Sequence, residues 1–399
     1  MVMRITENMK FRTAVTSLGN VQSQYDGIME KMASLKRINR LSDDPLGMTR
    51  LLDYRQAQAS LEQYQKNIDN STGWLNITEA KLSSAGDLVT KARELAVGQG
   101  TATASAASRR IAAESVEQLK EQMLSLANAT FGNRYLFSGS RTGTVPFSST
   151  YQPASIGSTT TSSANIFDGT VAASGVYTGS ANKTYVVKIV SGGVLADATY
   201  QVSADGGKTW GTEQTDLDTG TISLAEGISL VFTDSGASHL TAGDMFHLDA
   251  DTAGYYKGNG AALTTDIGKD ASVVYNISGE AVFTGSGGGA DIFKALDDLK
   301  TALMNNDQQG ILAQIDKLTE ASVQINLSTS KVGTTVNRLD LAKSNLQDLS
   351  LQLTDLSSKT EDADMAELAT SLAMKQIALQ ASYATASRIG SNTIMDFIK

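Results

Sequence analysis

Apolar side chains near the start of the chain recur at alternating intervals of four and three positions. The recurring residues are Ala14, Leu18, Val21, Tyr25, Ile28, Met32 and Leu35. This spacing is the heptad pattern of a helix that packs against another helix. A second helix is predicted to begin at Pro45, because Asp44 can cap it and proline is tolerated at the first helical position.

The second helix carries one apolar stripe that repeats every seven residues. Its members are Tyr54, Leu61, Ile68, Leu75, Leu82, Val89 and Ala96. A repeat of seven drifts around a straight helix, so the stripe predicts a partner helix around which this helix supercoils. After a run of small residues at 98–108, a third helix is expected from Arg109 to Thr130. It would present Ile111, Leu119, Met123 and Leu126 on one face.

The pattern changes between residues 139 and 290, where Gly, Ser and Thr separate short β-branched or alternating runs. These runs are KTYVVKIV, ATYQVSA, ISLVFTD and DMFHLDA. Such runs bounded by glycine turns predict β-strands. The glycine-rich stretch at 285–290 then returns the chain to helical patterns, and we expect it to act as a hinge.

The heptad spacing resumes in the last hundred residues. An amphipathic helix at 291–307 precedes a long helix whose seam comprises Ile325, Ser328, Val332, Thr335, Leu339, Ala342, Leu346, Leu349, Leu353 and Leu356. A final helix continues the spacing, and its predicted contact residues are Met365, Ala369, Leu372, Gln376, Leu379, Tyr383, Ala386 and Ile389. Tyr25 and Gln376 are semi-polar seam positions that either set the register of the pairing or are merely tolerated.

These patterns together predict an α+β fold. It consists of a long antiparallel α-helical coiled-coil bundle built from both chain ends, with a β-rich domain inserted between them. The expected divisions are an N-terminal helical arm at 1–138, an outer β-rich domain at 139–290 and a C-terminal helical arm at 291–399. The two ends carry opposite charge, since residues 1–40 hold seven basic and three acidic residues and residues 360–399 hold three and five.

Pairing the two terminal helices covers only one flank of each. The other flanks also carry apolar residues, including Val15, Met29, Leu368 and Ile377. Ordering a residue costs about 1–2 kcal/mol in backbone entropy, which an isolated helix pair hardly offsets. We therefore expect the ends to become ordered mainly when other copies cover them. An ordinary intramolecular bundle stays open as an alternative, because heptads report only that a partner exists.

The net charge of −9 lies mostly in the middle of the chain, where residues 140–290 contain fourteen acidic and six basic residues. An acidic surface opposes nucleic-acid binding, which needs clustered Lys and Arg. No stretch of eighteen apolar residues exists, so no membrane insertion is expected. The beginning of the chain lacks the apolar core of a secretory signal, and the absence of cysteine excludes disulfides and thiolate metal sites.

One octet in the middle region, SADGGKTW, matches the Asp-box pattern known from sialidase propellers. The residues of the pattern are Ser203, Asp205, Gly207, Thr209 and Trp210. A structural turn is expected here, because a sialidase needs several such boxes and clustered arginines, and Arg141 is the only arginine between 140 and 290.

Other candidate chemistry is weaker. His239 and His247 are the only histidines, and they form no recognisable metal or catalytic motif. The segment DLDTG at 216–220 could bind calcium but lacks the remaining loop ligands. The glycines at 285–289 lack the Lys-Ser or Lys-Thr of a phosphate loop. We therefore predict no catalytic residue, no metal, no cofactor and no enzyme.

Four motifs carry a resemblance to a known family. They are MRITENM at residue 3, LKRINRLSDDPLGMTRLLDYR at 35–55, NRYLFSGSRTGTVPF at 133–147 and ATSLAMKQIALQASYATASRI at 369–389. Together they resemble the flagellin superfamily of bacterial flagellar proteins, over both helical arms. Flagellins usually have Ser-Ser-Gly before Arg-Ile-Asn and end in a Leu-Leu type sequence. This chain has MASLKRIN and MDFIK, which favours a subunit of the hook–filament junction.

The resemblance implies a secreted structural subunit, exported unfolded through the flagellar type III apparatus. Its terminal helices would assemble with other copies as a ring in the axial structure, beside hook-associated proteins and flagellin. An export chaperone would hold the C-terminal helices before assembly. Family members usually begin Met-Arg-Ile, so Met3 is a candidate initiator. Two alternatives remain open: a flagellin-type filament subunit, and a secreted adhesive β domain on a coiled-coil stalk.

Overall fold

The computed structural model describes residues 7–215, 217, 219–233, 239–286 and 288–397, with side chains placed for Met9 and, within these ranges, from 12 to 388. It is an α+β protein with long helices at both chain ends and strands in the middle. The predicted fold class is therefore confirmed. The candidate initiators Met1 and Met3 lie outside the described residues.

Seven α-helices are present in this part of the chain. They are α1 (Glu7–Ser34), α2 (Pro45–Gln99), α3 (Ala106–Ala127), α4 (Gly279–Phe283), α5 (Ile292–Met304), α6 (Gln308–Glu361) and α7 (Met365–Phe397). The start of α2 is as predicted, because the amide of Gly47 donates to Asp44 Oδ1 at 2.9 Å. Asp291 caps α5 in the same way through the amide of Lys294.

Fourteen short strands lie between α3 and α4 in the described residues. They are β1 (Thr130–Phe131), β2 (Arg134–Tyr135), β3 (Phe147–Gln152), β4 (Ser155–Ile156), β5 (Thr160–Thr161), β6 (Thr170–Gly175), β7 (Lys183–Ser191), β8 (Thr199–Ser203), β9 (Thr221–Ser223), β10 (Ile228–Thr233), β11 (Met245–Asp251), β12 (Gly254–Tyr256), β13 (Thr264–Gly268) and β14 (Ala271–Val274). The four strands predicted from sequence correspond to β7, β8, β10 and β11. A single turn of 3₁₀-helix, Leu195–Asp197, lies between β7 and β8.

All strand pairs within the sheets are antiparallel. The larger sheet has the order β4-β11-β7-β8, with β5 also paired to β11, and a second sheet has the order β6-β10-β9. Along β10 and β11 buried residues alternate with half-buried or exposed ones, which is the pattern of strands with one face on a core. Phe232 of β10 and Phe246 of β11 meet edge to face, with ring centroids 5.0 Å apart. The two sheets thus share one hydrophobic core.

The chain divides into two compact units, one formed by residues 1–65 and 343–399 and the other by residues 66–342. The helices α2 and α6 each contribute a part to both. In the 66–342 unit the predicted stripe of α2 is buried from Ile68 to Ala96, and Ile325, Val332 and Leu339 of α6 are buried as well. A Cβ atom on Gly86 would lie 3.7 Å from Ile325 Cγ2. Within this unit the heptad stripes therefore mark the packed faces of α2 and α6, whereas Leu349 and Leu356 of the predicted α6 seam, which lie in the other unit, are each 43% exposed.

The helix α3 packs against α5 within the 66–342 unit. Its buried face comprises Ala112, Ala113, Val116, Leu119, Met123 and Ala127, together with Arg109. The sequence prediction was wrong at Ile111, which is 67% exposed. Ala112 and Ala113 occupy the buried face instead. Two ion pairs link the helices, Lys120 to Asp297 at 2.5 Å and Lys300 to Glu117 at 2.8 Å.

Candidate assembly interface

The predicted contact residues of α1 lie along one side of the helix. Ala14, Leu18, Val21, Tyr25, Ile28 and Met32 are all half-buried. Leu35 differs from them, since α1 ends at Ser34 and Leu35 has a positive φ of 60°. Its side chain is 57% exposed. Leu35 therefore belongs to the linker after the helix, and its backbone rather than its side chain makes the contacts described below.

The predicted contact residues of α7 divide into two groups. Leu372, Leu379 and Ala386 are half-buried. Met365, Ala369, Gln376 and Tyr383 are exposed. The side chain of Ile389 lies outside the described residues. Half-buried positions also include Leu368, Lys375 and Ser382, so the flank that α7 turns towards its neighbour is rotated from the predicted seam.

The helices α1 and α7 lie against each other, and Lys375 Nζ of α7 donates to Gln24 Oε1 of α1 at 2.7 Å. Among the described side chains of the two helices, none is fully buried. Their exposed apolar residues are Met9, Val15, Met29, Met365, Met374, Ile377 and Tyr383. The pair therefore has a contact flank but no fully buried side chain among its described residues, and each helix also leaves apolar side chains exposed to solvent.

The two linkers that lead into these helices are joined by backbone hydrogen bonds. The amide of Arg37 donates to the carbonyl of Glu361 at 2.7 Å, and the amide of Ala363 donates to the carbonyl of Leu35 at 3.1 Å. The Glu361 carboxylate, only 10% exposed, lies 2.5 Å from Lys36 Nζ and 2.7 Å from the Arg55 guanidinium. We call this group the linker clamp. The sequence pattern does not predict it, because a single acidic residue at a helix end carries no spacing signal.

The Asp-box octet forms a closed turn after β8. The amide of Gly207 donates to Ser203 Oγ at 2.9 Å, and the Ser203 hydroxyl donates to Asp205 Oδ1 at 2.7 Å. Asp205 also accepts from the amide of Thr209 at 2.9 Å and from the Thr209 hydroxyl at 2.6 Å. These hydrogen bonds, first those from Thr209, hold the pKa of Asp205 well below its usual range.

The remaining members of the octet close the turn. Gly206 and Gly207 have φ values of 76° and 93°, in the left-handed region that favours glycine. Trp210 is half-buried and lies under the Lys188 ammonium, which is 5.8 Å from the ring centroid. Every polar atom of the Asp205 carboxylate is thus engaged by its own turn, which is an arrangement for holding a loop rather than for chemistry.

The other sequence candidates do not come together as a site. His247 is half-buried in β11, whereas His239 is exposed just before Leu240. The described residues contain no group of three or more His, Cys, Asp or Glu side chains placed to hold a metal. Asp216 and Asp218 of the calcium candidate, and Gly287 of the glycine-rich hinge, lie outside the described residues. In the described helices no stretch is long and apolar enough to cross a bilayer.

Comparison with protein families matches both ends of the chain. Residues 5–142 match the bacterial flagellin N-terminal helical region, and residues 315–398 match the bacterial flagellin C-terminal helical region. The first match contains α1, α2 and α3, and the second contains most of α6 and the whole of α7. The matched regions therefore include the helix pair and the linker clamp.

Individual relatives carry flagellar names. Flagellar hook-associated protein 3 of Salmonella typhimurium is 32% identical over 146 residues, 36% of this chain and 46% of that protein. The protein of the same name from Escherichia coli is 33% identical over 147 residues, 37% of this chain and 46% of that protein. The chain thus matches about half the length of these curated relatives. A flagellin of Clostridium tyrobutyricum is 24% identical over 405 residues, 98% of this chain and all of that protein.

A solved structure assigned as a flagellar hook-associated protein from Vibrio parahaemolyticus shares the fold, with a TM-score of 0.50 and 15% identity over 80% of this chain and 100% of that one. The family matches cover more than half of the sequence, at the helical ends where the structure places the paired terminal helices. The chain therefore belongs to the flagellin superfamily, and within it is similar to hook-associated protein 3.

Proposed function

We propose that this protein is a structural subunit of the bacterial flagellum that joins the hook to the filament by self-assembly of its terminal helices. The observation that carries the proposal is the helix pair α1–α7, whose described side chains include no buried one. The names of the Salmonella and Escherichia relatives support the position at the junction.

The energetics of the helix pair favour assembly with further copies. Fully burying an exposed Met, Ile or Val contributes about 1.5–3 kcal/mol, and the outward flanks of α1 and α7 carry several such residues. Met374, Ile377 and Tyr383 lie on α7, while Val15 and Met29 lie on α1. A second and third copy that covered these flanks would supply the interior that one chain lacks. The contact residues predicted from sequence would then be divided between the partner helix and neighbouring copies.

The rest of the proposal follows from this arrangement and the family. Copies form a ring in the axial structure, next to other hook-associated proteins and flagellin, and an export chaperone covers α7 before assembly. The arms 1–138 and 291–399 build the axial part, and residues 139–290 form the outer domain. The related proteins named above are structural components of flagella, and we assign this chain a structural role rather than an enzymatic one.

A filament subunit is the second candidate, because the Clostridium flagellin matches along nearly the whole chain. Position in the flagellum separates the two functions. Gold-labelled antibody against residues 139–290 should mark one narrow zone at the hook end of each flagellum. Labelling along the entire filament would establish the flagellin-type function, and labelling of the cell surface away from flagella would favour an adhesin.

The assembly step is tested by Ile377→Asp, with Val176→Asp as the matched control. Both side chains are exposed in the single chain, at 67% and 71%, but only Ile377 lies on a terminal helix. In cells that lack the native copy, Ile377→Asp should abolish incorporation and leave filaments detached, because a charge would be buried without a partner. Val176→Asp should be incorporated normally. Normal incorporation and motility with Ile377→Asp would refute assembly through α7.

A further inference from the structure

A cavity of about 870 Å³ lies within the 66–342 unit. Its walls come from α2, from the β1–β2 hairpin and from the β13–β14 hairpin. The wall side chains that matter here are those of Trp74, Phe131, Asn133, Arg134 and Tyr275. We call it the Trp74 cavity. Its volume falls in the range of about 300–1,000 Å³ that is usual for binding sites in proteins.

Aromatic rings fix the position of one cation in this cavity. Trp74 is 2% exposed, and its ring meets Phe131 and Tyr275 edge to face, with centroids 5.9 Å apart in each case. The Arg134 guanidinium lies over the indole, 5.0 Å from its centroid, and its Nη2 donates to the Tyr275 hydroxyl at 3.3 Å. Its Nε donates to the Thr142 hydroxyl at 3.4 Å, and Nη1 has no hydrogen-bond partner among the described residues, so it can donate to a partner.

The positive charge in the cavity has no negative counterpart among its lining residues. Arg134 is the only charged side chain among the lining residues, and no carboxylate of the described chain pairs with it. Arg141, by contrast, is paired with carboxylates inside the protein. Its side chain is 7% exposed and lies 2.9 Å from Asp249 and 2.5 Å from Asp251. Arg134 is exposed, and its side-chain partners among the described residues are hydroxyls and aromatic rings.

We propose that the Trp74 cavity is a contact site for a second copy of this chain, which inserts an acidic side chain that pairs with Arg134. Trp, Tyr and Arg in a pocket are the residue types that dominate binding energy at protein interfaces. A neighbouring copy offers the complementary charge, since residues 140–290 contain fourteen acidic and six basic residues. The inference rests on the proposed assembly and adds to the terminal helices a second contact, outside them.

Photo-crosslinking in assembled flagella tests the contact directly. A photoreactive phenylalanine replaces Asn133, an exposed residue of the cavity rim, in cells that lack the native copy. Irradiation should give a covalent dimer of the chain, and mass spectrometry should place the cross-link in a segment that contains Asp or Glu. A cross-link to a different protein, to a segment without an acidic residue, or none at all in incorporated protein would overturn the inference and leave the proposed function standing. Failure of the unmodified chain to enter flagella would overturn both.

Charge reversal tests the role of Arg134. Arg134→Glu should lower the dimer cross-link from position 133 by about tenfold or more, because a carboxylate would then face a carboxylate. Arg134→Lys should lower it less, and Arg110→Glu, at another exposed arginine of the same unit, should leave it unchanged. Circular dichroism melts establish that each variant is folded. An unchanged cross-link yield in folded Arg134→Glu would overturn the pairing. If that variant does not fold, the position of the cross-link mapped in the parent chain tests the inference instead, because a cross-link to a segment without an acidic residue overturns it.

Discussion

The guanidinium of Arg55 and the carboxylate of Glu361 lie 2.7 Å apart, although 306 positions separate them in the sequence. Lys36 approaches the same carboxylate from the linker after α1. Glu361 therefore ties together the start of α2, the end of α6 and the linker between α1 and α2. Both terminal helices depart from this point, so the linker clamp fixes the place from which they extend.

Glu361→Gln should loosen the linker clamp without unfolding the chain. Loss of the charge weakens two ion pairs whose cationic partners are about half exposed, so the cost is about 1 kcal/mol. Hydrogen exchange of the Arg37 and Ala363 amides, which bond across the two linkers, should become about fivefold faster. Asp355→Asn is the matched control, because Asp355 pairs with Lys359 along α6 and with no linker residue that the structure describes. Unchanged exchange in Glu361→Gln would show that the backbone bonds alone hold the linkers.

The turn of Asp205 should make part of the stability pH-dependent. The pKa of Asp205 in the folded protein lies below its ordinary value of about 3.9. The carboxylate therefore stabilises the fold fully above about pH 4, and this contribution is lost as the pH falls through the folded pKa. Asp205→Ala should lower the free energy of unfolding by about 1–2 kcal/mol at neutral pH, through the lost hydrogen bonds.

Denaturant unfolding of both proteins over a pH series measures this contribution. The difference between parent and Asp205→Ala should be constant from pH 7 to about pH 5 and should shrink below about pH 4. Asp168→Ala, at an exposed aspartate of the same region, serves as the control and should change stability little. A difference that is independent of pH would mean that the turn needs the shape of the side chain and not its charge.

Helical and strand periodicity predicted most of the fold because burial follows it directly. The stripe of α2 from Ile68 to Ala96 is buried, and four predicted strands are present where the runs of β-branched residues lie. Periodicity failed at two positions. Leu35 continues the heptad in sequence but follows the end of α1, and Ile111 has the spacing of a core residue but faces solvent.

The parts of the candidate interface that sequence could not predict depend on single charged residues far apart in the chain. Glu361 meets Arg55 across the two arms, and Arg134 meets Trp74 across α2 and a hairpin. No local sequence pattern predicts such pairs, because each residue on its own has the sequence context of an ordinary surface residue. The sequence also could not predict which residues of α7 are half-buried and which are exposed. A heptad repeat indicates that partner helices exist, but it does not indicate which of them belongs to the same chain.

Arg109→Lys should destabilise the 66–342 unit. Arg109 is buried, and its guanidinium donates to the carbonyl of Gln99 at 3.1 Å, to the carbonyl of Thr101 at 3.0 Å and to Asn306 Oδ1 at 2.6 Å. A lysine ammonium cannot span these three acceptors, so we expect a loss of about 1–3 kcal/mol in unfolding free energy. The exposed Arg110→Lys is the control. Equal stability of the two variants would show that the loop after α2 is held by other contacts.

The terminal helices should gain their protection from exchange only on assembly. In the single chain no described side chain of α1 or α7 is buried, so opening of either helix costs little free energy. In dilute solution, amides at 12–34 and 365–388 should exchange several orders of magnitude faster than those of α2 between Ile68 and Ala96, whose stripe is buried. In purified flagella the two sets should become comparable, because neighbouring copies cover the outward flanks. Slow exchange throughout α7 in the isolated chain would show that one copy completes its own helical bundle, and the assembly proposed here would lose its physical basis.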